Sequence, residues 1–494
     1  MPPSIGILGT FDVENFGDQL FPLIAERELR ERLPDVEVRT YSPWGRELLT
    51  HLDGGHPAEE LGAREPMRCA ELAQELDCLL IGGGEIIHTR DELLGAVYGV
   101  TGEEVLARRP SDWFIDGLGA ELEGVCPVIW HGVGLPFEPT SEEAVRLCAA
   151  LESRPYITVR DATSMERLRR AGVTVPVNLV PDSAFMVNRL LPTQLLVRRR
   201  EFHRHMGWVP AADEPVLVVQ GNRDLVRLAP QIAASLRIWL SGHPEVRVVI
   251  AELGPCHGDS EFADALGPML PRPVFRFPGT AGIADTMSLI EGAHCFMGIS
   301  LHGNITSVAL GRRQVILNLN EQSKLDGLAQ MIDAEDRVAR QADEIVARLE
   351  TAWISAPAYD VITLMQARLD QHFDHIAEIA EKSAAQRPGR VPDRAELLRK
   401  IERLSREVEL LRRASAVTAQ RLIEERSAMA EPFQAVRDQL AETNESLLEL
   451  QNLRDDSDAL RAAQRKHELL LATRTFRYTA RARSYYAKIR RIVG

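Results

Sequence analysis

Ala293-His-Cys-Phe-Met-Gly-Ile-Ser-Leu-His-Gly-Asn-Ile-Thr-Ser-Val-Ala-Leu310 runs from a short apolar segment, past a Gly-flanked histidine, into a helical pattern that stops at Gly311. The spacing predicts a buried strand over Ala293–Gly298 and a helix from Ile305, with Ser300, His302 and Gly303 at the junction. In open parallel sheets, ligands bind at that carboxyl edge. A lone histidine there would normally be a helix cap or a polar filler. Here flanking glycines, a neighbouring hydroxyl and the following helix N-terminus give the junction anion-binding character. His302 is therefore the leading candidate for function.

The same unit recurs along the chain. Apolar runs Ile5–Leu8, Val36–Tyr41, Cys78–Ile81, Val128–His131, Ile157–Val159 and Asn178–Val180 alternate with helical patterns such as Asp18–Arg32, Glu142–Leu151 and Ala162–Ala171. A second series follows at Val216–Gln220, Val246–Ala251, Val274–Phe277, Cys295–Met297 and Val315–Leu317. Strands alternating with helices imply crossover connections and parallel sheets. The expected fold is α/β, with two facing Rossmann-like doubly wound domains followed by an α-helical coiled coil. The boundaries read as 1–195 for the first domain, 196–383 for the second with a closing helix over 356–382, and 384–392 for a polar, Pro-containing linker. A coiled coil is expected over 393–471 and a basic-aromatic tail over 472–494.

From Leu397 the apolar positions Leu397, Ile401, Leu404, Val408, Leu411 and Leu422, with Ser415 and Thr418 between, step by fours and threes. That is the heptad rule, and it predicts a homo-oligomer. Pro432 interrupts the register, which resumes at Phe433. In the tail, seven Lys/Arg residues between Arg474 and Arg491 are interleaved with Phe476, Tyr478, Tyr485 and Tyr486, without Asp or Glu. Such a segment suits the headgroup zone of an anionic membrane. It equally suits an acidic protein surface.

With 494 residues, two or three domains are expected, and 45% hydrophobic with 26% charged residues is a globular composition. A net charge of −14 excludes nucleic acid as a main partner, since phosphate contacts need a basic surface. The six cysteines lack metal-ligand spacing, so no metal is expected. The first strand begins at once, and no apolar run approaches a membrane span. The expected location is cytoplasmic, with the tail placing the chain at the inner face of a membrane.

Other strand ends carry chemistry too. Gly9-Thr-Phe-Asp-Val-Glu-Asn-Phe-Gly-Asp18 joins a strand to a helix, with Gly17 for a tight turn and Asn15 or Asp18 as cap and cleft residue. It is neither a dinucleotide fingerprint nor a phosphate-binding P-loop. In Ile81-Gly-Gly-Gly-Glu85, Gly83 and Gly84 expose backbone N–H groups that favour oxyanions, with Glu85 just beyond. His131-Gly-Val-Gly134 closes another strand. Arg160 precedes Asp161, and Asp182 follows Val180-Pro181; an Arg160 pair with either carboxylate that merely holds loops together is the simpler reading there. In the second domain, Arg223 leaves the first strand, and Lys324 follows the last.

Asn15-Phe-Gly-Asp18, Ile81-Gly-Gly-Gly84, Val159-Arg-Asp161 with Ser164, Val180-Pro-Asp182, Ser300-Leu-His-Gly303 and Lys324-Leu-Asp326 occur in the order seen in the polysaccharide pyruvyl transferase family. Over residues 4–330 the chain resembles that family. The resemblance implies two facing Rossmann-like domains, the first on the acceptor side and the second on the donor side. It implies transfer of the enolpyruvyl unit of phosphoenolpyruvate onto two hydroxyls of a sugar, or of a lipid-linked glycan, in cell-surface polysaccharide synthesis. A cyclic ketal forms and phosphate leaves. No cofactor is needed, because phosphoenolpyruvate is the donor substrate.

That chemistry needs a general acid, cationic clamps and a base. Histidine has the appropriate pKa for the acid, which assigns His302, with Arg223 and Lys324 as clamps. Asp18, Glu85 or His131 would hold or deprotonate the sugar. Asn15, Gly17, Gly83, Gly84, Arg160, Ser300 and Gly303 complete the expected substrate-binding set. Some family members carry Arg where Ser300 stands, which leaves Arg223 to supply more of the charge. Two other readings fit the sequence: a nucleotide-sugar glycosyltransferase, with Glu252 on a ribose, and a non-catalytic glycan-binding scaffold.

Overall fold

The computed structural model describes residues 2–386, except 49–55, 212–213, 272 and 357–358, together with 465–466. Apart from that last pair, the expected coiled coil and tail lie outside the described residues, as does the linker beyond 386.

Thirteen described strands form two sheets in which every neighbouring pair is parallel. The first lobe holds β1 (Ser4–Leu8), β2 (Glu37–Ser42), β3 (Glu59–Glu60), β4 (Cys78–Gly82), β5 (Val128–Val133), β6 (Tyr156–Val159) and β7 (Asn178–Leu179). Their order across the sheet is β3-β2-β1-β4-β5-β6-β7. The second lobe holds β8 (Val216–Gln220), β9 (Arg247–Ala251), β10 (Val274–Phe277), β11 (Cys295–Gly298), β12 (Arg313–Leu317) and β13 (Val338–Ala339), ordered β10-β9-β8-β11-β12-β13. Strands covered on both faces read as continuous apolar runs, and β4 is buried at all five positions.

In both sheets the strand order reverses beside the first strand, between β1 and β4 and between β8 and β11. Loops diverge at such a switch point and leave a crevice. The turns after β1, β4, β8 and β11 all open into the cleft between the lobes. The lobes also touch along its edge, where Phe16 N–H donates to Leu253 O at 2.8 Å.

Four helices position the site: α1 (Phe16–Arg32), α2 (Leu301–Ala309), α3 (Ser323–Met331) and α4 (Tyr359–Gln386). The helix expected from Ile305 begins one turn earlier, because the Ser300 hydroxyl caps it by accepting from Gly303 N–H at 3.1 Å. His302 thus lies in the first helical turn rather than in a loop.

The domain limits need one correction. The closing helix α4, expected with the second domain, packs instead on α1, β1 and β4 of the first lobe. Ile362, Met365, Leu369, Phe373 and Ile376 form its buried stripe, at helical spacing. At its rim Asp370 accepts from Arg32 at 2.9 Å and from Arg189 at 2.8 Å. One apolar core therefore runs from the first sheet through α1, α4 and the Ser183–Arg189 turn into the second lobe.

Candidate active site

The cleft holds about 400 Å³. His302 enters it from α2 in the second lobe, but first-lobe residues hold its ring. The Phe21 ring stands edge-on at 5.1 Å. Asp182 Oδ2 lies 3.5 Å from His302 Nε2. Gly17 packs so closely that a Cβ there would lie 1.9 Å from Nδ1. The imidazole is 10% exposed and lines the cleft.

Asp182 is itself fixed. It accepts from Arg160 Nη1 at 3.2 Å and from Ala184 N–H at 3.0 Å. Burial pushes its carboxyl up, but the charges of His302 and Arg160 override that and hold it well below the usual carboxylate range. The simpler Arg160–Asp182 pairing is thus present, and Arg160 lines the cleft as well. Glu85 lies 3.8 Å from Arg160 and accepts from Lys324 Nζ at 2.9 Å, which joins the lobes. Burial raises the Glu85 carboxyl, but Lys324 and Arg160 outweigh it, so the net shift is downward. Gly83 and Gly84 take φ of +85° and +90°. A side chain at Gly83 would strike Phe21, and one at Gly84 would approach Asp18.

Opposite this cationic part lies an acceptor-rich part. Asn15 caps α1 by accepting from Gly17 N–H at 3.2 Å and donates to Asp18 Oδ2 at 2.8 Å. It also lies 3.4 Å from His257 Nε2, in the turn after β9. Burial pushes the Asp18 carboxyl up, partly opposed by His302 and His257, and burial pulls the His257 imidazole down. The upward shift makes Asp18 a stronger proton acceptor than a solvated aspartate, and the downward shift favours the neutral form of His257. Gln220, Asn222, Asp224 and Asp259 complete the second-lobe wall. Ser300 N–H donates to Gln220 Oε1 at 2.9 Å, which ties β8 to the cap of α2.

Asn15, Asp18, Gly84, Glu85, Arg160, Ser300, His302 and Lys324 are therefore brought to the cleft, with Gly17, Gly83 and Gly303 packed behind them. Two expected residues are not. His131 turns into the layer beneath α4, where its Nδ1 lies 2.7 Å from His372 Nε2 and burial pulls it down to about 4. It cannot hold a sugar in the cleft. Arg223 is exposed and bound to Glu261, with Nη2–Oε1 at 2.6 Å, so it is not a clamp on the cleft wall. Glu252 is bound to Arg276 at 2.6 Å.

The sequence reading missed His257, Asn222, Asp224, Asp259 and the pairing of Asp182 with His302. For His257 a signal was present: Gly254-Pro-Cys-His-Gly258 is another Gly-flanked histidine after a strand. Among the described residues, no group of three or more His, Cys, Asp and Glu side chains is arranged to hold a metal ion.

A sequence model described as polysaccharide pyruvyl transferase matches residues 15–321. No curated protein matches the sequence. Similar solved structures include UDP-GlcNAc 2-epimerase from Methanocaldococcus jannaschii (13% identity, covering 72% of this chain and 93% of that one, TM-score 0.47). UDP-GlcNAc 2-epimerase from Neisseria meningitidis bound to UDP-GlcNAc is 12% identical over 74% of this chain and 99% of that one, with a TM-score of 0.45. S. aureus MnaA with UDP is 10% identical over 77% and 98%, also with a TM-score of 0.45.

Proposed function

Because the chain belongs to the polysaccharide pyruvyl transferase family, we propose that its cleft moves the enolpyruvyl unit of phosphoenolpyruvate onto two hydroxyls of a sugar. The observation that carries this reading is His302, delivered by one lobe and gripped by Gly17, Phe21 and Asp182 of the other. A general acid must be held to a fraction of an ångström, and packing from both lobes does that.

In this mechanism Lys324, Arg160 and the Gly84 backbone bind the carboxylate and phosphate of the donor. His302 protonates the methylene carbon, and the first sugar hydroxyl adds to the neighbouring cationic carbon. The C–O bond to phosphate breaks with its electron pair, and the second hydroxyl closes the ketal. Two hydroxyl protons are lost overall: one replaces the proton given to the methyl group, and the other leaves with phosphate. Asp18, with His257 beside it, is the base for the acceptor. Glu85 positions Lys324. The heptads from Leu397 would oligomerise the chain, and the basic-aromatic tail would bring it to a lipid-linked acceptor at an anionic membrane. Among the described residues no helix is long and apolar enough to cross a membrane.

The test is phosphate release from phosphoenolpyruvate with a panel of sugars. His302→Gln should lower turnover by roughly two to four orders of magnitude, as expected for a lost general acid. A wild-type rate in that variant refutes the assignment, and release of nucleoside diphosphate from a sugar nucleotide instead would make the chain a glycosyltransferase.

A further inference from the structure

The acceptor-rich half of the cleft has a composition that selects its occupant. On the second lobe, Asn222, Asp224 and Asp259 line the wall, and Asp224 lies close enough to the His257 imidazole to oppose in part the burial that lowers its pKa. Asp259 Oδ2 accepts from Leu253 N–H at 2.8 Å, Gly254 N–H at 3.0 Å and Gln220 Nε2 at 2.9 Å. Its Oδ1 has no partner, although the residue is 1% exposed. Asn222 Oδ1 is likewise buried and unpartnered. An unmade hydrogen bond of this kind is costly, and a donor on a bound molecule would satisfy it.

Facing these acceptors, the first-lobe helix Asp91–Tyr98 comes up against the Pro255–His257 turn. It offers the cleft Leu93 and Val97, which lie on one face at i and i+4. Leu93 is 43% exposed. One wall therefore accepts hydrogen bonds and the other is apolar. Among the described residues, Arg160 and Lys324 are the Lys and Arg side chains that line the cleft, and in the proposed function the donor occupies both.

We propose that Asn222, Asp224 and Asp259, with Leu93 and Val97 opposite, form the acceptor subsite, and that it takes an uncharged pyranose and rejects uronic acids. A pyranose ring has hydroxyls to donate along its edge and C–H faces to lay on leucine and valine. A carboxylate on that ring would sit against Asp224 and Asp259, where like charges repel. This inference rests on the proposed function. It moves the acceptor from the first domain, where the family resemblance placed it, to a seam between the lobes with its polar side on the second.

The experiment measures binding of methyl glucoside, galactoside and mannoside, of the matching methyl uronides, and separately of phosphoenolpyruvate, to the full chain by calorimetry and saturation-transfer NMR. At least one neutral glycoside should bind, and its uronide should bind roughly tenfold or more weakly. Asp224→Asn should narrow that gap. Asp259→Asn keeps an oxygen for the two backbone donors and replaces the unpartnered oxygen with a donor, so it should weaken the glycoside while leaving phosphoenolpyruvate binding unchanged. Equal or better uronide binding, no glycoside binding, or loss of phosphoenolpyruvate affinity in these variants overturns the subsite. If Asp259→Asn does not fold, the exposed Asp224→Asn still decides. Intact glycoside selectivity in a chain that does not bind phosphoenolpyruvate would sink the proposed function and leave the subsite standing.

Discussion

Gly17→Ala places one methyl group where the His302 ring now lies. The new Cβ would be 1.9 Å from Nδ1, 2.5 Å from Cγ and 2.8 Å from Cε1, whereas ordinary contact begins near 3.4 Å. The ring or the start of α1 must give by about 3.4 − 1.9 = 1.5 Å. Phe21 and Asp182 close off the other sides of the imidazole, so a simple rotation does not relieve the overlap. Misplacing a catalytic group by about 1 Å costs on the order of a hundredfold in rate, so a loss of roughly a hundredfold or more is expected. Overpacking of this kind costs about 1–3 kcal/mol, partly offset by the about 0.5–1 kcal/mol by which alanine favours a helix over glycine, so the chain should fold with a modest loss of stability. The assay pairs steady-state phosphate release with a thermal melt and with phosphoenolpyruvate binding. The expected signature is a fall in kcat with a single cooperative melt, lowered by a few degrees, and with donor affinity preserved. A wild-type kcat would refute the claim that the clamped position of His302 matters.

Arg223→Ala should change phosphoenolpyruvate affinity by less than about threefold, since the exposed guanidinium is paired with Glu261; a loss of tenfold would return it to the donor site. Lys324→Ala should weaken donor binding roughly tenfold, the cost of one charge-assisted hydrogen bond, and unchanged affinity would remove it from the clamp. The buried His131 pulls down to about 4 from an ordinary 6.5, and His372 moves in the same direction. The unfolded chain therefore takes up these protons first, so the stability that the pair contributes is complete above pH 6.5 and is lost as pH falls toward 4. At pH 5 the His131 share is roughly 2 kcal/mol. Urea denaturation of the wild type and of His131→Gln/His372→Gln at pH 7.5 and 5 should show the wild type losing at least that much more, and parallel losses contradict it. Removing residues 393–494 should lower the oligomeric state measured by light scattering; an unchanged mass would assign the heptads another purpose.

The central strands were legible because parallel strands covered on both faces must be continuously apolar. β3 and β13 were not: each is two residues long, and neither lies in an apolar run such as Val177–Val180, which marked the equally short β7. The glycine-bearing turns were legible as backbone features, and most of them open into the cleft. Side-chain direction was less so. β5 is buried at all six positions, so alternation cannot say which face His131 takes, and it takes the one under α4. Arg223 was placed correctly at its strand exit, yet a short 3-10 turn starts there and sends the side chain outward to Glu261. The grip on His302 comes from Gly17, Phe21 and Asp182, distant in sequence and on the other lobe, where no local signal reports it.

The return of α4 to the first lobe means that this lobe is not a continuous stretch of chain, the second lobe being inserted within it. A chimera joined once, near residue 195, would give the first sheet a foreign closing helix, or none, and uncover the surface that Leu369, Phe373 and Ile376 now seal. Recombination that respects the structure needs two junctions, one before the helix Thr193–Met206 and one before Tyr359. Exchange of whole lobes among relatives would then be rare as a single event. New specificities would be expected to arise by substitution in the cleft turns more readily than by swapping whole lobes.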